Sequence, residues 1–348
     1  MTLLVQKERI LSNYRILQKQ AGSTPVLPLL EANAYGFGDV AVAQLLASEG
    51  IKTIAVSRLE EAQRIAEAVR GLDILLLTPY ADEADIETIL KLDIIAAIGS
   101  NDSAVLMSSL SRKLRTRARV QLCFDFGMGR FGFAPQDAAK AAQTLKHLDN
   151  VELTGVFTIL PHNRRAKEAT RLQQVKDFQR VLTAIEREGL RTGLTHMADC
   201  AQGQLCPSMK LGTVRAGADL FGRGPLKEKH GLRKVGRCIS EICDIKWLVA
   251  GSTVGDDAQR KVRRATRVAV VPAGQADGLF TENPSRSRWF GKRQWCEIGG
   301  KKAAVIGRVG LTALTVDVTD IDCAPGEIVA FDVDPLRVNA MTRREFVG

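Results

Sequence analysis

The sequence predicts an α/β fold, a (β/α)8 TIM barrel followed by a mostly β C-terminal domain, and three observations carry that prediction. Between Thr24 and Arg215, eight short β-rich runs alternate with stretches of helical periodicity. After Gly224 the helical periodicity fades, and apolar runs are broken by Gly, Pro and Asp. Polar and charged residues gather just after the β-rich runs, the face on which a barrel of this kind carries its chemistry. These observations place a barrel over 10–224 and a β domain over 225–348, with residues 1–9 packing with the latter. An open doubly wound sheet is the competing arrangement for the first part.

The eight runs are VLPLLE (26–31), TIAVS (53–57), DILLLT (73–78), DIIAAI (93–98), ARVQLCFDF (118–126), ELTGVFTIL (152–160), GLTHM (193–197) and GTVRAG (212–217). Amphipathic segments separate them. DVAVAQLLASEG has Asp39 as N-cap and Gly50 just past its end, and SRLEEAQRIAEAVRG repeats the arrangement with Ser57 and Gly71. In the second part, ICDIKWLVA, TRVAVVPAG, KKAAVIGRV, LTALTVDVTDI and GEIVAF read as strands.

A length of 348 residues exceeds what one ordinary core serves, so a large barrel or two domains is expected. No apolar run reaches the roughly 20 residues that span a bilayer, and the N-terminus lacks a signal-peptide layout. No membrane association is expected, and the expected compartment is the cytoplasm. Seven cysteines form no C-x-x-C spacing and no Cys/His cluster, so they read as buried free thiols rather than a zinc site or disulfides. The net charge is +10, and much of it lies between Arg223 and Arg293, including RKVRRATR at 260–267. Such a stripe could meet nucleic acid or another acidic surface. It carries no interleaved aromatics and runs into an apolar strand, so a solvated face is expected and nucleic acid is not.

The strand ends hold the candidate functional residues. Glu31 and Tyr35 follow the first run, GMGRFG with Arg130 the fifth, His162 the sixth, His196 and Asp199 the seventh, and Arg215 and Gly217 the eighth. A carboxylate at the end of a buried strand is costly unless paired, which singles out Glu31. GMGRFG fits G-x-G-x-x-G after a strand, yet Phe133, Ala134 and Pro135 intervene before the next helix, so a dinucleotide site is rejected. Arg130 in that loop suits a carboxylate or phosphate, and reads equally as an exposed loop arginine. Arg215 precedes AGADLFG, whose backbone amides could receive an anion, although a strand-end arginine is more often structural. His196 alone is more often a hydrogen-bonded core histidine than a catalyst.

Taken together, these segments resemble the alanine racemase family, pyridoxal-phosphate enzymes of fold type III. EANAYGFG is similar to the family's K-A-N-A-Y-G-H-G, FDFGMGRFGF to D-T-G-M-G-R-x-G, GVFTILPHN to the strand-six G-x-x-T-H segment, HMADCA to H-x-A-N-S-A and VRAGADLFG to V-R-x-G-x-x-L-Y-G. In the β domain, VAVVPAGQADG resembles x-x-x-x-P-I-G-Y-A-D-G, and IGRVGLTALTVDVTDI resembles G-R-V-C-M-D-x-x-x-V-D-V-T-D. The matches run in order from about residue 25 to 330.

The resemblance implies losses as well as likeness. The lysine that forms the cofactor imine aligns with Glu31. The second proton-transferring group is a tyrosine from the partner subunit's β domain, and this chain has no tyrosine after Tyr80; the position falls near Asp256. The phosphate-holding tyrosine near the C-terminus is missing for the same reason. A modified lysine aligns with Cys123, a histidine with Ile159, an Asn-Ser pair with Asp199-Cys200 and a Met-Asp pair with Leu311-Thr312. Tyr35, Arg130, His196, Arg215 and Gly217 remain, which the resemblance implies contact cofactor or substrate. Glu31 is then expected to pair with an arginine inside a vacated cofactor site.

The leading expectation is therefore a racemase-like protein without lysine-dependent pyridoxal-phosphate catalysis, acting as a non-catalytic partner or regulatory subunit. Its ligand-binding residues would be Glu31, Tyr35, Arg130, His196, Arg215 and Gly217, with no catalytic residue assigned and no metal. The alternatives are a repurposed enzyme acting on a small amino-acid-like or anionic substrate, and an amino-acid racemase with atypical groups. No covalently bound cofactor is expected, while non-covalent pyridoxal phosphate stays open. The expected assembly is a homodimer, or a heterodimer with a related racemase-like chain.

Overall fold

A computed structural model of the chain describes residues 1–161, 166–226, 230–280 and 294–348. His162, expected after the sixth strand, lies outside the described residues. The chain divides into two compact units, one of Glu8–Lys234 and one of Met1–Lys7 with Val235–Gly348.

The first unit is the barrel. Six strands pair in parallel and in chain order: Thr53–Val56, Asp73–Leu76, Ile95–Ile98, Ala118–Phe124, Val151–Thr158 and Leu194–His196. The remaining two, Val26–Pro28 and Val214–Ala216, pair with each other, also in parallel. Leu29 bridges Ala55, and Asp199 bridges Arg215, which joins the pair to both ends of the six and closes the ring. Val26–Pro28, Thr53–Val56, Asp73–Leu76 and Ile95–Ile98 are short and almost wholly apolar, as strands buried on both faces are. Leu27, Leu29, Ala55, Leu75, Leu77, Ile95, Ala97, Cys123 and Phe157 fill the interior as one cluster. Fully burying a side chain such as Leu or Phe contributes about 1.5–3 kcal/mol, so this lining is a principal source of the unit's stability.

The helices between strands bury one stripe each. Leu59, Ala62 and Ile65 are the buried face of Leu59–Ala68, at the spacing that one side of a helix requires. Two of the expected caps differ. Asp39 is the first residue of its helix rather than its cap, and its backbone N–H is received by Asn33 Oδ1 at 2.9 Å. Ser57 lies outside the helix it was expected to cap. Glu61 instead reaches back to the Arg58 N–H at 3.3 Å, and the Ser57 hydroxyl is turned elsewhere.

The second unit is, among the described residues, a nine-stranded mixed sheet. Its order is Asp244–Leu248, Thr266–Val271, Leu314–Asp317, Lys301–Ile306, Trp295–Ile298, Ile328–Phe331, Gly236–Glu241, Thr2–Gln6 and Arg343–Val347. Thr2–Gln6 runs antiparallel to Gly236–Glu241 and parallel to Arg343–Val347. Leu3 and Val5 alternate inward from it, which anchors the N-terminal strand. A small hairpin, Thr253–Val254 with Arg260–Lys261, stands beside the sheet. Six of the seven cysteines are buried thiols; Cys243 is exposed, contrary to expectation, and none is in a disulfide. No described helix is long and apolar enough to cross a membrane.

Candidate functional site

The C-terminal ends of the barrel strands bring Glu31, Tyr35 and Gly217 into one cluster and His196 with Arg215 into another beside it. Leu30 still donates its N–H to Ala55 O at 2.8 Å, so Glu31 is the first residue delivered past the strand pairing. The chain then makes a left-handed turn. Ala32, Asn33, Ala34 and Tyr35 all have φ between 51° and 58°. Left-handed residues with a Cβ cost roughly 1–2 kcal/mol each, so this turn persists only because its surroundings hold it. Those holds are visible. Glu61 Oε1, on a buried side chain, accepts the Asn33 N–H at 3.0 Å, and Asn33 Oδ1 ties the turn to the next helix.

The turn presents the Tyr35 side chain back towards Glu31. Tyr35 Oη donates to Glu31 Oε2 at 3.4 Å, and Ser57 Oγ donates to Glu31 Oε1. Burial, and then the Glu31 charge, push the Tyr35 phenol well above its usual range, so it acts as a donor and not as a base. The Tyr35 ring packs 5.6 Å from that of Phe221. Gly217 closes this arrangement, because a Cβ there would lie 2.2 Å from Tyr35 Oη. Only a residue without a side chain lets the phenol occupy that place.

Arg215 and His196 form a chain of hydrogen bonds below. Arg215 Nη1 donates to Thr158 O at 3.0 Å and to His196 Nδ1 at 2.8 Å, and Nη2 donates to Met197 O at 3.2 Å. With Nδ1 an acceptor, the imidazole carries its proton on Nε2 and donates it to Gln121 Oε1 at 3.0 Å. Phe157 stacks flat on the ring at 4.9 Å. Burial first, and the neighbouring guanidinium second, hold His196 well below its usual pKa, so it is neutral. Gln121 fits because its neighbour is Gly155, where a Cβ would fall 2.6 Å from the Gln121 amide carbon. Cys123 lies in the apolar interior, and burial pushes its thiol up to about 12, leaving it protonated.

The expected Glu31–arginine pair does not form among the described residues. Glu31 is answered by two hydroxyls, while Arg215 is committed to two backbone carbonyls and an imidazole, and the two interact only through space. Asp199 is not the arginine's counter-ion in a direct pair either: its Oδ1 accepts the Gln202 N–H at 2.7 Å and caps the helix Cys200–Leu205.

Arg130 makes no hydrogen bond or ion pair to either cluster among the described residues, although it and Arg215 both act through space on the Cys123 thiol. In its loop, Asp125 accepts the N–H groups of Gly127, Met128 and Arg130 at 3.1, 2.8 and 3.2 Å. These bonds, with that of Met128 foremost, hold the Asp125 carboxyl below its usual range. The glycine-rich loop thus turns its amides onto its own aspartate, which leaves them no phosphate to cradle. The exposed Arg130 guanidinium rests 5.3 Å from the Phe131 ring centre and 3.8 Å from Met128 Sδ, with no carboxylate partner among the described residues.

Sequence reasoning missed Ser57, Glu61 and Gln121. Gln121 had a signal, a lone amide in the apolar run ARVQLCF. Ser57 and Glu61 did not, since either reads as ordinary helix-start chemistry.

Residues 5–225 match the family described as alanine racemase, N-terminal domain, and residues 235–341 match alanine racemase, C-terminal domain. The chain is 29% identical over 326 residues to the alanine racemase of Carboxydothermus hydrogenoformans, covering 91% of this chain and 85% of that protein. It is 30% identical over 347 residues to the alanine racemase of Sorangium cellulosum, covering 97% and 90%. Among solved structures, the alanine racemase of Clostridium difficile 630 has a TM-score of 0.86 at 24% identity, covering 98% of this chain and 88% of that one. The Bartonella henselae enzyme, described with covalently bound pyridoxal phosphate, has a TM-score of 0.82 at 22% identity and covers 100% of both chains. At these identities the structural likeness speaks to fold.

Proposed function

This chain belongs to the alanine racemase family, and we propose that within it the protein works without an imine-forming lysine, as a non-catalytic partner or regulatory subunit of a racemase-like chain. The observation that carries the reading is Glu31. It stands at the end of the first barrel strand, where the family motif has its lysine, and its carboxylate is held by Ser57 and Tyr35. A carboxylate cannot condense with an aldehyde, so the residue present does not fit a covalently attached pyridoxal phosphate. The other losses point the same way. The described barrel interior offers a protonated Cys123 thiol and a neutral, hydrogen-bonded His196, neither poised to move a proton. Losing two proton-transferring groups removes contributions of roughly 10²–10⁴-fold each. Of the groups that persist, Tyr35, His196 and Arg215 are held in hydrogen bonds within the barrel, Gly217 makes room for Tyr35, and Arg130 is exposed.

The partner role is supported by the second unit, which still matches the family over residues 235–341 although the sequence has no tyrosine there to contribute. Such retention fits selection on packing or assembly. Borohydride reduction and peptide mapping of protein purified from its native host should find no pyridoxyl-lysine, and light scattering should find a homodimer or a complex with a related chain. A pyridoxyl-lysine in the barrel would remove the first half of this reading. A monomer at micromolar concentration with no copurifying chain would remove the second.

Arg130 favours one further reading, a barrel mouth that takes a small anion. It is exposed on a strand-end loop without a carboxylate partner among the described residues, and arginine suits carboxylate or phosphate.

A further inference from the structure

The basic run at 260–267 divides into residues that hold the fold and residues that do not. Arg267 is structural: Nη1 and Nη2 donate to Ile321 O and Cys323 O at 3.1 and 2.7 Å. Arg260, Lys261, Arg263 and Arg264 are exposed, and only Arg264 has a carboxylate partner among the described residues, Asp320 at 3.0 Å. That pair is largely solvated on both sides, so it neutralises little. The four cations line a groove of about 630 Å³ whose apolar floor includes Val262 and Ile306. One acid, Asp317, enters the lining, and its Oδ1 already accepts the Thr319 N–H and hydroxyl at 3.1 and 2.7 Å. Four like charges gathered in a concavity repel one another and contribute nothing visible to packing.

We infer that this groove is a docking surface for an extended acidic segment of a partner protein. The chemistry selects that occupant. Three of the four cations are arginines, whose planar fork matches a carboxylate. Residues 260–264 span at most about 17 Å, enough for a few residues of an extended chain whose alternate side chains face the same way. A single-stranded nucleic acid would need aromatic platforms for its bases. Trp247 is exposed nearby but pairs in register with Arg267, while Thr266, which lines the groove, pairs with Leu248. Successive residues point to opposite faces, so Trp247 is directed away from the groove. The surface belongs to the second unit, and the inference holds whether or not the barrel is catalytic.

The test is fluorescence anisotropy of a fluorescein-labelled peptide of alternating Glu and Ser, titrated with the full chain at low salt. The double variant Arg260→Glu/Arg263→Glu should weaken binding by about tenfold or more, since reversing charges at the contact acts directly on it. Arg237→Glu/Arg343→Glu makes the same change in net charge at exposed positions elsewhere on the unit, and should change binding by less than about twofold. Equal losses in the two variants would reduce the effect to net charge and overturn the inference. So would absence of peptide binding, or a labelled oligodeoxythymidine that binds more tightly than the peptide.

Discussion

Acidification should destabilise the barrel through His196, and the size of the effect follows from its surroundings. The imidazole is 0% exposed, donates from Nε2 to Gln121 and accepts from Arg215 at Nδ1. Protonating Nδ1 would set an N–H against the guanidinium that now donates to it and place a charge where water cannot reach. The folded pKa is accordingly depressed, by burial first and Arg215 second. In the unfolded chain the same ring titrates near its ordinary value of about 6.5. At pH 7.5 neither state carries the proton, so nothing is lost. Below about pH 6.5 the unfolded chain binds a proton that the folded barrel refuses, and stability falls by up to about 1.4 kcal/mol per pH unit. At pH 5 the cost reaches about 2 kcal/mol if the folded ring is still neutral. Urea denaturation of the wild-type chain and of His196→Gln, measured between about pH 7.5 and about pH 5, isolates this contribution as the difference between the two curves. Gln offers Arg215 an amide oxygen but no titrating ring. The wild type should lose about 2 kcal/mol more than the variant over that range. Parallel curves would show that His196 takes up its proton in the folded state, and would refute the buried neutral imidazole.

Two further outcomes are expected. Gly217→Ala places a Cβ against the Tyr35 hydroxyl, so the phenol must swing from Glu31; overpacking of this kind costs about 1–3 kcal/mol, read as a lower melting temperature in calorimetry. The penalty should vanish in a Tyr35→Ala background, and an unchanged melting temperature in the single variant would mean that Tyr35 does not occupy this position. Arg130→Ala should leave the melting temperature unchanged, because among the described residues the guanidinium contacts Met128 and Phe131 and no carboxylate, while weakening phosphate binding about tenfold in isothermal titration. Loss of stability with no phosphate binding in either protein would end the anion-binding reading.

The sequence by itself determined the succession of elements and the side of the barrel on which the unusual residues lie. Apolar runs short enough for strands, separated by stripes such as Leu59, Ala62 and Ile65, are local patterns that each segment carries alone. They were enough to deliver Glu31, Arg130, His196 and Arg215 to strand ends. Which groups then meet was decided by closure of the ring. Ser57 reads locally as a helix cap, yet its hydroxyl goes to Glu31, 26 residues away, because the first two barrel strands bring that carboxylate beside it. Arg215 reads as a partner for an acid, yet burial places it among the carbonyls of Thr158 and Met197 and the ring of His196, which satisfy its donors without an ion pair. Gln121 gained its role only when Gly155 on the next strand left space for its amide. The basic run at 260–267 is uniform in sequence, and the fold separated Arg267, which donates to backbone, from the four cations left facing the groove. Periodicity is a property of neighbours in the chain, whereas hydrogen-bond partners and desolvation depend on residues that only the folded barrel and sheet bring together.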